Sequence, residues 1–313
     1  MCRRSQVQAA IAVENVSHKF DERVALDGIT LQVMPGEMYG LLGPNGGGKT
    51  TLFRMLCTML PPDHGTIRLL GKNAAANAVR AHIGVVFQHP SLDVRLTVLE
   101  NLRHQGHLYG LKGRPLSQRI EEVLDMMALA DRAKDRIEIL SGGLQRRVEL
   151  CKSLLHRPQI LIFDEPCTGL DPGARRGFWD DLDILRRTYG TTLVLTTHFI
   201  EEAERCDRIG ILDRGQLIAE GTPAALKRTV GCEVITLETR DPKGLQLQIE
   251  KVAGRDVQII DGQVRIACDE GQQLLAQLYP LLRENVQAMT LSVPTLEDVF
   301  VQRTGHGFHV EDQ

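Results

Sequence analysis

The stretch Gly43 to Thr50, GPNGGGKT, places four glycines within six residues and follows them with a lysine. Fixing a glycine costs more backbone entropy than fixing any other residue, so the cluster implies a close approach that no side chain tolerates. The apolar run EMYGLLG precedes it, and KTTLFRMLCTML follows with Leu52, Met55, Leu56 and Leu60 at helical spacing. Strand, glycine loop and helix form the context for the pattern G-x-x-x-x-G-K-[ST], filled here by Gly43, Gly48, Lys49 and Thr50. Backbone N–H groups of such a loop turn inward around phosphate oxygens, and the helix N-terminus behind them adds a positive dipole end. A β-carbon at Gly46 or Gly48 is expected to hold the phosphates off. Lys49 is placed to reach the β- and γ-phosphates, and Thr50 to offer its hydroxyl to Mg²⁺. The expected guest is a nucleoside triphosphate.

A second anchor is QILIFDEP, in which Ile160 to Phe163 read as a strand covered on both faces and ending in two carboxylates. In open α/β sheets ligands sit beyond the carboxyl ends of strands, which brings Asp164 and Glu165 to the phosphates. Asp164 is a candidate Mg²⁺ ligand, and Glu165 a candidate base for an attacking water. The strand in TTLVLTTH ends at His198, whose imidazole could meet the γ-phosphate or the water; a lone histidine there equally serves a structural role. IGVVFQ ends at Gln88, a further polar group able to reach Mg²⁺ or water, although glutamine is common at strand ends.

The chain has 313 residues, which suggests one large domain and a smaller one. A formal net charge of −3 gives no support to a nucleic-acid-coating surface. Seven scattered cysteines without a CxxC pair fit reduced thiols better than a disulfide framework. MCRRSQVQAAIAVENV lacks the apolar stretch of a secretory signal, and no run approaches the ~20 apolar residues of a membrane span. A soluble, intracellular chain is expected, with any membrane role supplied by a partner.

With these positions assembled, LSGGLQRRVEL, Leu140 to Leu150, resembles the signature sequence of ABC transporter ATPases, and FDEPCTGLDP and LTTHFIEEAERCDRIGILDRGQLIAEGTP resemble the later motifs of that family. The resemblance runs from about residue 10 to 230. It implies an α/β P-loop NTPase fold: a RecA-like parallel core, an N-terminal antiparallel β-layer and a helical subdomain. By resemblance the Walker A loop is Gly43, Pro44, Asn45, Gly46, Gly47, Gly48, Lys49, Thr50 and Thr51. Gln88 belongs to the Q-loop, Ser141, Gly142 and Gly143 to the signature, and Asp171 to the D-loop. Asp164 ends Walker B, Glu165 is the catalytic base and His198 the switch histidine. Phe20 stands where relatives place an aromatic against adenine, many of them Tyr; it could also simply pack the β-layer. Gly47 replaces the Ala or Ser frequent in relatives, and is expected to loosen the loop slightly. ATP and Mg²⁺ are the implied cofactors.

SGGLQRRVELCKSLLH begins with an N-cap serine and continues with Val148, Cys151, Leu154 and Leu155 at helical spacing, so its start is a second anion site. In the family this helix faces another subunit's P-loop. A homodimer, or a pair with a paralogous ATPase subunit, is therefore expected to sandwich two ATP molecules, each Ser141 completing the opposite site. Residues 1–229 form the expected ATP-binding domain, with a helical subdomain over about 91–158 that grips integral membrane permease subunits. QHPSLDVRLTVLENL resembles versions in exporters of the ABC-2 and drug-resistance kind. His104 and His107 lie one turn apart without a third ligand nearby, so a solvated helix face is the better reading.

Residues 230–313 read as an accessory α+β domain. The order β-α-β-β-α-β, with Asp261-Gly262 as a tight turn, suggests a ferredoxin-like module. VPTLEDVFVQRTG resembles the tail of the same exporter subgroup, and GFHVEDQ reads as a frayed end. The expected function is ATP hydrolysis that drives an ABC-2 exporter, from the cytoplasm and on the inner face of the membrane. Competing readings are a P-loop switch or kinase, which lacks an NKxD motif here, and a soluble ABC ATPase acting on nucleic acid or ribosomes. The latter usually carries coiled-coil inserts or tandem cassettes, and this chain has neither.

Overall fold

Apolar runs buried along their whole length set the centre of the fold: Met38–Leu42, Ile160–Asp164 and Thr192–Thr197 have no exposed position. Strands of that kind belong in a parallel sheet covered on both faces. The computed structural model describes residues 8–253, 257–260, 262–282 and 285–308. The chain begins with β1 (Ile11–Phe20), β2 (Arg23–Val33), β3 (Met38–Leu42) and α1 (Lys49–Leu56). β4 (His64–Leu69), β5 (Lys72–Asn73) and β6 (Ile83–Val86) follow, then the arm helices α2 (Val98–Leu108), α3 (Gly113–Met126) and α4 (Gly142–Leu154). β7 (Ile160–Asp164), α5 (Pro172–Tyr189), β8 (Thr192–Thr197), α6 (Ile200–Ala203), β9 (Arg208–Asp213), β10 (Gln216–Gly221) and α7 (Pro223–Arg228) complete the first part.

The central sheet has the order β10-β9-β3-β8-β7-β6, parallel except for β10. The carboxyl ends of β3, β6, β7 and β8 therefore share one edge. A four-stranded antiparallel sheet, β2-β1-β4-β5, packs over α1. Phe53 of α1 lies in the core between these sheets with Leu41, Ile162 and Val194. The opposite face of the central sheet carries Phe163 and Leu195 against Leu102, Val148 and Trp179 of the arm and α5. Local sequence fixes the helix ends. α2 starts in a capping box between Thr97 and Glu100, and α5 starts on Asp171 with Pro at its first turn and stops at Gly190 (φ 64°).

Beyond α7 come β11 (Glu233–Thr239), α8 (Pro242–Ala253), β12 (Gln258–Ile260), β13 (Gln263–Cys268), α9 (Gly271–Leu282), β14 (Val286–Ser292) and α10 (Leu296–Thr304). Their sheet is antiparallel with the order β12-β13-β11-β14, the ferredoxin-like arrangement expected from the element order. Ile235, Leu237, Ile249, Val264 and Leu278 form its own core. Gly262 has φ 77°, as a tight turn requires; Asp261 and residues 309–313 of the expected frayed end lie outside the described residues. α10 departs from a simple tail. Leu296, Val299 and Phe300, with Phe308 after it, join the core beside Ile211, Leu226 and Val230 rather than that of the small sheet.

Candidate nucleotide site

β3 delivers the glycine loop to the shared sheet edge, where Gly43 N donates to Thr197 O at the end of β8 (3.3 Å). The glycines answer to the protein itself as much as to any guest. A β-carbon on Gly43 would stand 2.2 Å from the Leu212 carbonyl oxygen. Gly48 has φ 104°, and its β-carbon would meet the Ala25 carbonyl oxygen at 2.8 Å. At Gly48 the left-handed backbone and the wall behind it exclude a side chain before any phosphate is considered. Gly47 is also tighter than expected. It is buried, and a β-carbon there would lie 3.1 Å from both the Leu212 and Pro44 carbonyl oxygens. At Gly46 (φ 78°) the neighbour is Arg23 Nη2, 3.4 Å from the β-carbon position, so the β1–β2 hairpin reaches the loop.

Gly48 caps α1 without a side-chain bond, leaving the first N–H groups of the helix available to an anion. Lys49 is buried, and its Nζ donates to the carbonyls of Gly43 (2.7 Å) and Pro44 (2.8 Å). Burial holds its ammonium below the usual lysine range, opposed by Glu165 and Asp164. Asn45 and Thr50 are exposed and Thr51 is half-buried on the first turn.

β7 ends at Asp164, whose Oδ1 accepts from Thr196 Oγ1 (2.7 Å); burial raises this carboxyl above its ordinary value. Glu165 follows with φ 41°, a left-handed conformation that costs a non-glycine residue energy and turns the side chain off the strand line. The Thr196 hydroxyl accepts from Glu165 N (3.0 Å) and holds that turn. Glu165 Oε2 accepts from Gln88 Nε2 and from Thr168 Oγ1, both at 3.3 Å, and Oε1 stands 3.9 Å from Lys49 Nζ. His198 Nδ1 lies 3.1 Å from Oε2 but without hydrogen-bond alignment. Its ring tilts against Phe199 with centroids 4.0 Å apart. Lys49, Gln88, the adjacent pair Asp164 and Glu165, and His198, from four separate stretches of the chain, thus meet at one edge.

Phe20 closes β1, 43% exposed and edge-on to His18 at 4.6 Å, with Arg23 opposite it across the hairpin. An exposed ring face there is available for stacking. Ser141 caps α4, its Oγ accepting from Leu144 N (3.4 Å), and among the described residues no hydrogen bond joins residues 141–143 to the glycine loop. Gly143 instead packs on α5, where a β-carbon would come within 2.7 Å of Ala174 Cβ; Gly142 is looser, 3.9 Å from Leu170. Asp171 is spent locally, its Oδ1 accepting from Gly173 N and Ala174 N at 2.9 Å. Residues 141–143 and the start of α5 at Asp171 therefore sit side by side.

Several supporting residues escaped sequence reading. Arg146 is buried and donates from Nε to Pro166 O (2.7 Å) and from Nη1 to Phe87 O (2.5 Å), tying α4 to both strand exits. Glu149 accepts from Ser91 N (2.9 Å), while Lys152 Nζ donates to Ser91 O (2.6 Å). Buried Glu202 accepts from Thr197 Oγ1 (2.7 Å), the residue before His198. Which of the charges of α4 turn inward depends on partners distant in the chain, Phe87, Ser91 and Pro166.

A model of the ABC transporter family matches residues 26–168. The Nod factor export ATP-binding protein I of Sinorhizobium fredii is 40% identical over 306 residues, covering 96% of this chain and 88% of that protein. The protein of that name from Paraburkholderia xenovorans is 40% identical over 304 residues, 95% of this chain and 98% of its own length. Among solved structures, cbiO1 from Clostridium perfringens, part of the ABC transporter complex cbiONQ, superposes with a TM-score of 0.66 at 25% identity, covering 78% of this chain and 95% of that one. No described helix is long and apolar enough to cross a membrane. The family match over the glycine loop and the acid pair, with relatives 40% identical along nearly the whole chain, places the chain in the ABC transporter family as an ATP-binding, ATP-hydrolysing subunit.

Proposed function

We propose that this subunit powers an exporter of the ABC-2 kind, binding ATP between two cassettes and hydrolysing it with Glu165 as base. The observation that carries the reading is the meeting of Lys49 Nζ and Glu165 Oε1 at 3.9 Å, with Gln88 and His198 around the other carboxylate oxygen. Gly43 to Thr51 cradle the triphosphate, Lys49 exchanging its loop carbonyls for β- and γ-phosphate oxygens. Phe20 stacks on the adenine. Glu165, fixed by Gln88 and Thr168, takes the proton of the attacking water, and His198 orients water and γ-phosphate.

The donor set also fits a divalent cation: Asp164 is a buried carboxylate whose charge is under-compensated, with Thr50 exposed on the neighbouring helix turn. Mg²⁺ held by Thr50, Asp164 and Gln88 would neutralise charge on the transferred phosphoryl group. ABC ATP-binding subunits dimerise and work with membrane permease subunits. The finer arrangement proposed here is head to tail, with Ser141, Gly142, Gly143 and Asp171 of one cassette completing the partner's site. A homodimer and a paralogous pair both satisfy it. Residues 1–229 act as the ATP-binding domain, with the arm over about 91–158 engaging the permease, and 230–313 as an accessory domain.

Export is supported by the Nod factor export proteins among its relatives, and cargo choice belongs to the permease. Such a chain works at the cytoplasmic face of the membrane without contacting nucleic acid. Purification of the full chain from detergent-solubilised membranes tests this: an integral permease should co-purify in stoichiometric amount. Recovery with ribosomes or nucleic acid instead would overturn it.

A further inference from the structure

The nucleotide loop is backed by the turn between β9 and β10, and that turn is held from outside the cassette. Leu212 presents its carbonyl to Gly43 and Gly47. Gly215 N donates to Gly47 O (3.1 Å), and Gly215 O accepts from Asp27 N (2.8 Å) on β2. Arg214 (φ 46°) and Gly215 (φ 79°) are both left-handed, a conformation an arginine keeps only when its surroundings enforce it. Asp213, which begins the turn, is 8% exposed. Its Oδ2 lies 3.2 Å from Nε2 of His306, two residues beyond the end of α10.

His306 is itself fixed. Its N–H donates to Thr304 Oγ1 (3.3 Å), Nδ1 lies 3.1 Å from Gly307 O, and its ring meets Phe300 edge-on at 5.3 Å. α10 is anchored at both ends. Its capping residue Asp298 accepts from Arg265 Nη1 of β13 (3.1 Å), and Phe300 and Phe308 are buried in the main core. A carboxylate as buried as that of Asp213 needs a donor, and without one it draws water in or moves. Movement there is transmitted to Gly47, because Gly215 is hydrogen-bonded to it.

We infer that His306 is a positioning residue for ATP binding, acting through Asp213 and Gly215 on the backbone of the glycine loop. The accessory domain thereby sets the affinity of the cassette for ATP without touching the nucleotide. This rests on the reading of Gly43 to Thr51 as the nucleotide cradle. In the full-length chain, His306→Ala should raise the KM for ATP and the Kd of a fluorescent ATP analogue by roughly 3- to 10-fold, the span of one net hydrogen bond. kcat should stay within about twofold, the signature of lost ground-state binding. His306→Gln retains one donor for Asp213 and should recover most of the affinity.

Unchanged KM and Kd in His306→Ala would overturn the inference. So would a lowered melting temperature with normal KM in the folded fraction, which is what a purely structural contact produces, and so would failure of the glutamine variant to recover affinity. Lys49→Ala separates the two readings. If it binds ATP like the unaltered chain, the cradle itself is misassigned; if it loses ATP while His306→Ala keeps it, only the tail's role falls.

Discussion

Arg146 Nη1 donates to the carbonyl of Phe87 at 2.5 Å, so the helix that carries the signature is bonded to the residue before Gln88. Its Nε reaches Pro166 O at 2.7 Å, just past Glu165. One buried guanidinium therefore holds three motifs in register. Burial lowers its affinity for the proton, yet nothing shorter or less planar spans both carbonyls.

Arg146→Ala should cost about 3 kcal/mol or more of folding stability, since two hydrogen bonds from a charged donor are lost and two carbonyls are orphaned. Arg146→Lys should recover less than half. Urea unfolding measures it; a loss below about 0.5 kcal/mol would make the link ornamental.

Glu165→Gln keeps the geometry that Gln88 and Thr168 see but cannot take a proton. ATP binding should persist while turnover falls by about 10²- to 10⁴-fold, the usual worth of a general base. Single-turnover hydrolysis checks this, and a rate within about twofold of the unaltered chain would remove Glu165 from the role.

Gly43→Ala should abolish ATP binding or folding, because its β-carbon would stand 2.2 Å from the Leu212 carbonyl oxygen and the neighbour is backbone. Gly110 is the control: its φ is 77°, yet nothing lies within 4 Å of its β-carbon position. Gly110→Ala should cost only the left-handed strain of about 1–2 kcal/mol and leave ATP binding intact. Equal ATP affinity in both variants would contradict the packing explanation for the loop.

Burial raises the Asp164 carboxyl above its ordinary value, so folding makes ionisation of this group costlier than in the unfolded chain. Such a group contributes no penalty below both its unfolded and folded values. The penalty grows as pH rises through the unfolded value of about 4 and is complete above the folded one. Asp164→Asn should therefore melt a few degrees higher than the unaltered chain at pH 7.5, the difference shrinking as pH falls toward 4, while hydrolysis is lost. A stability difference that grew on acidification would reverse the assignment.

Motifs written in contiguous residues were legible: the glycine loop, the acid pair after an apolar run, the serine-capped helix and the β-α-β-β-α-β order of the second part. Their meeting at one sheet edge followed from strand ends alone. What stayed hidden depends on partners far apart in the chain. Nothing in the local sequence separates Arg146 from the other charges of its helix, or Glu202 from Glu201 beside it. The return of Phe300 and Phe308 to the main core could not be read from a short terminal helix. Gly47 looked loose in sequence because the carbonyl of Leu212 that confines it is 165 positions away.

The central claim is that each site is shared, the glycine loop coming from one cassette and Ser141 from the other. Complementation tests it directly. Lys49→Ala removes a loop and spares a signature, while Ser141→Arg does the reverse, so each variant alone should be inactive. In an equal mixture, half of the dimers are mixed and each regains one intact site, and ATPase activity should return to about a quarter of the unaltered level. No recovery at any mixing ratio, from two variants that fold and associate, would contradict a shared site.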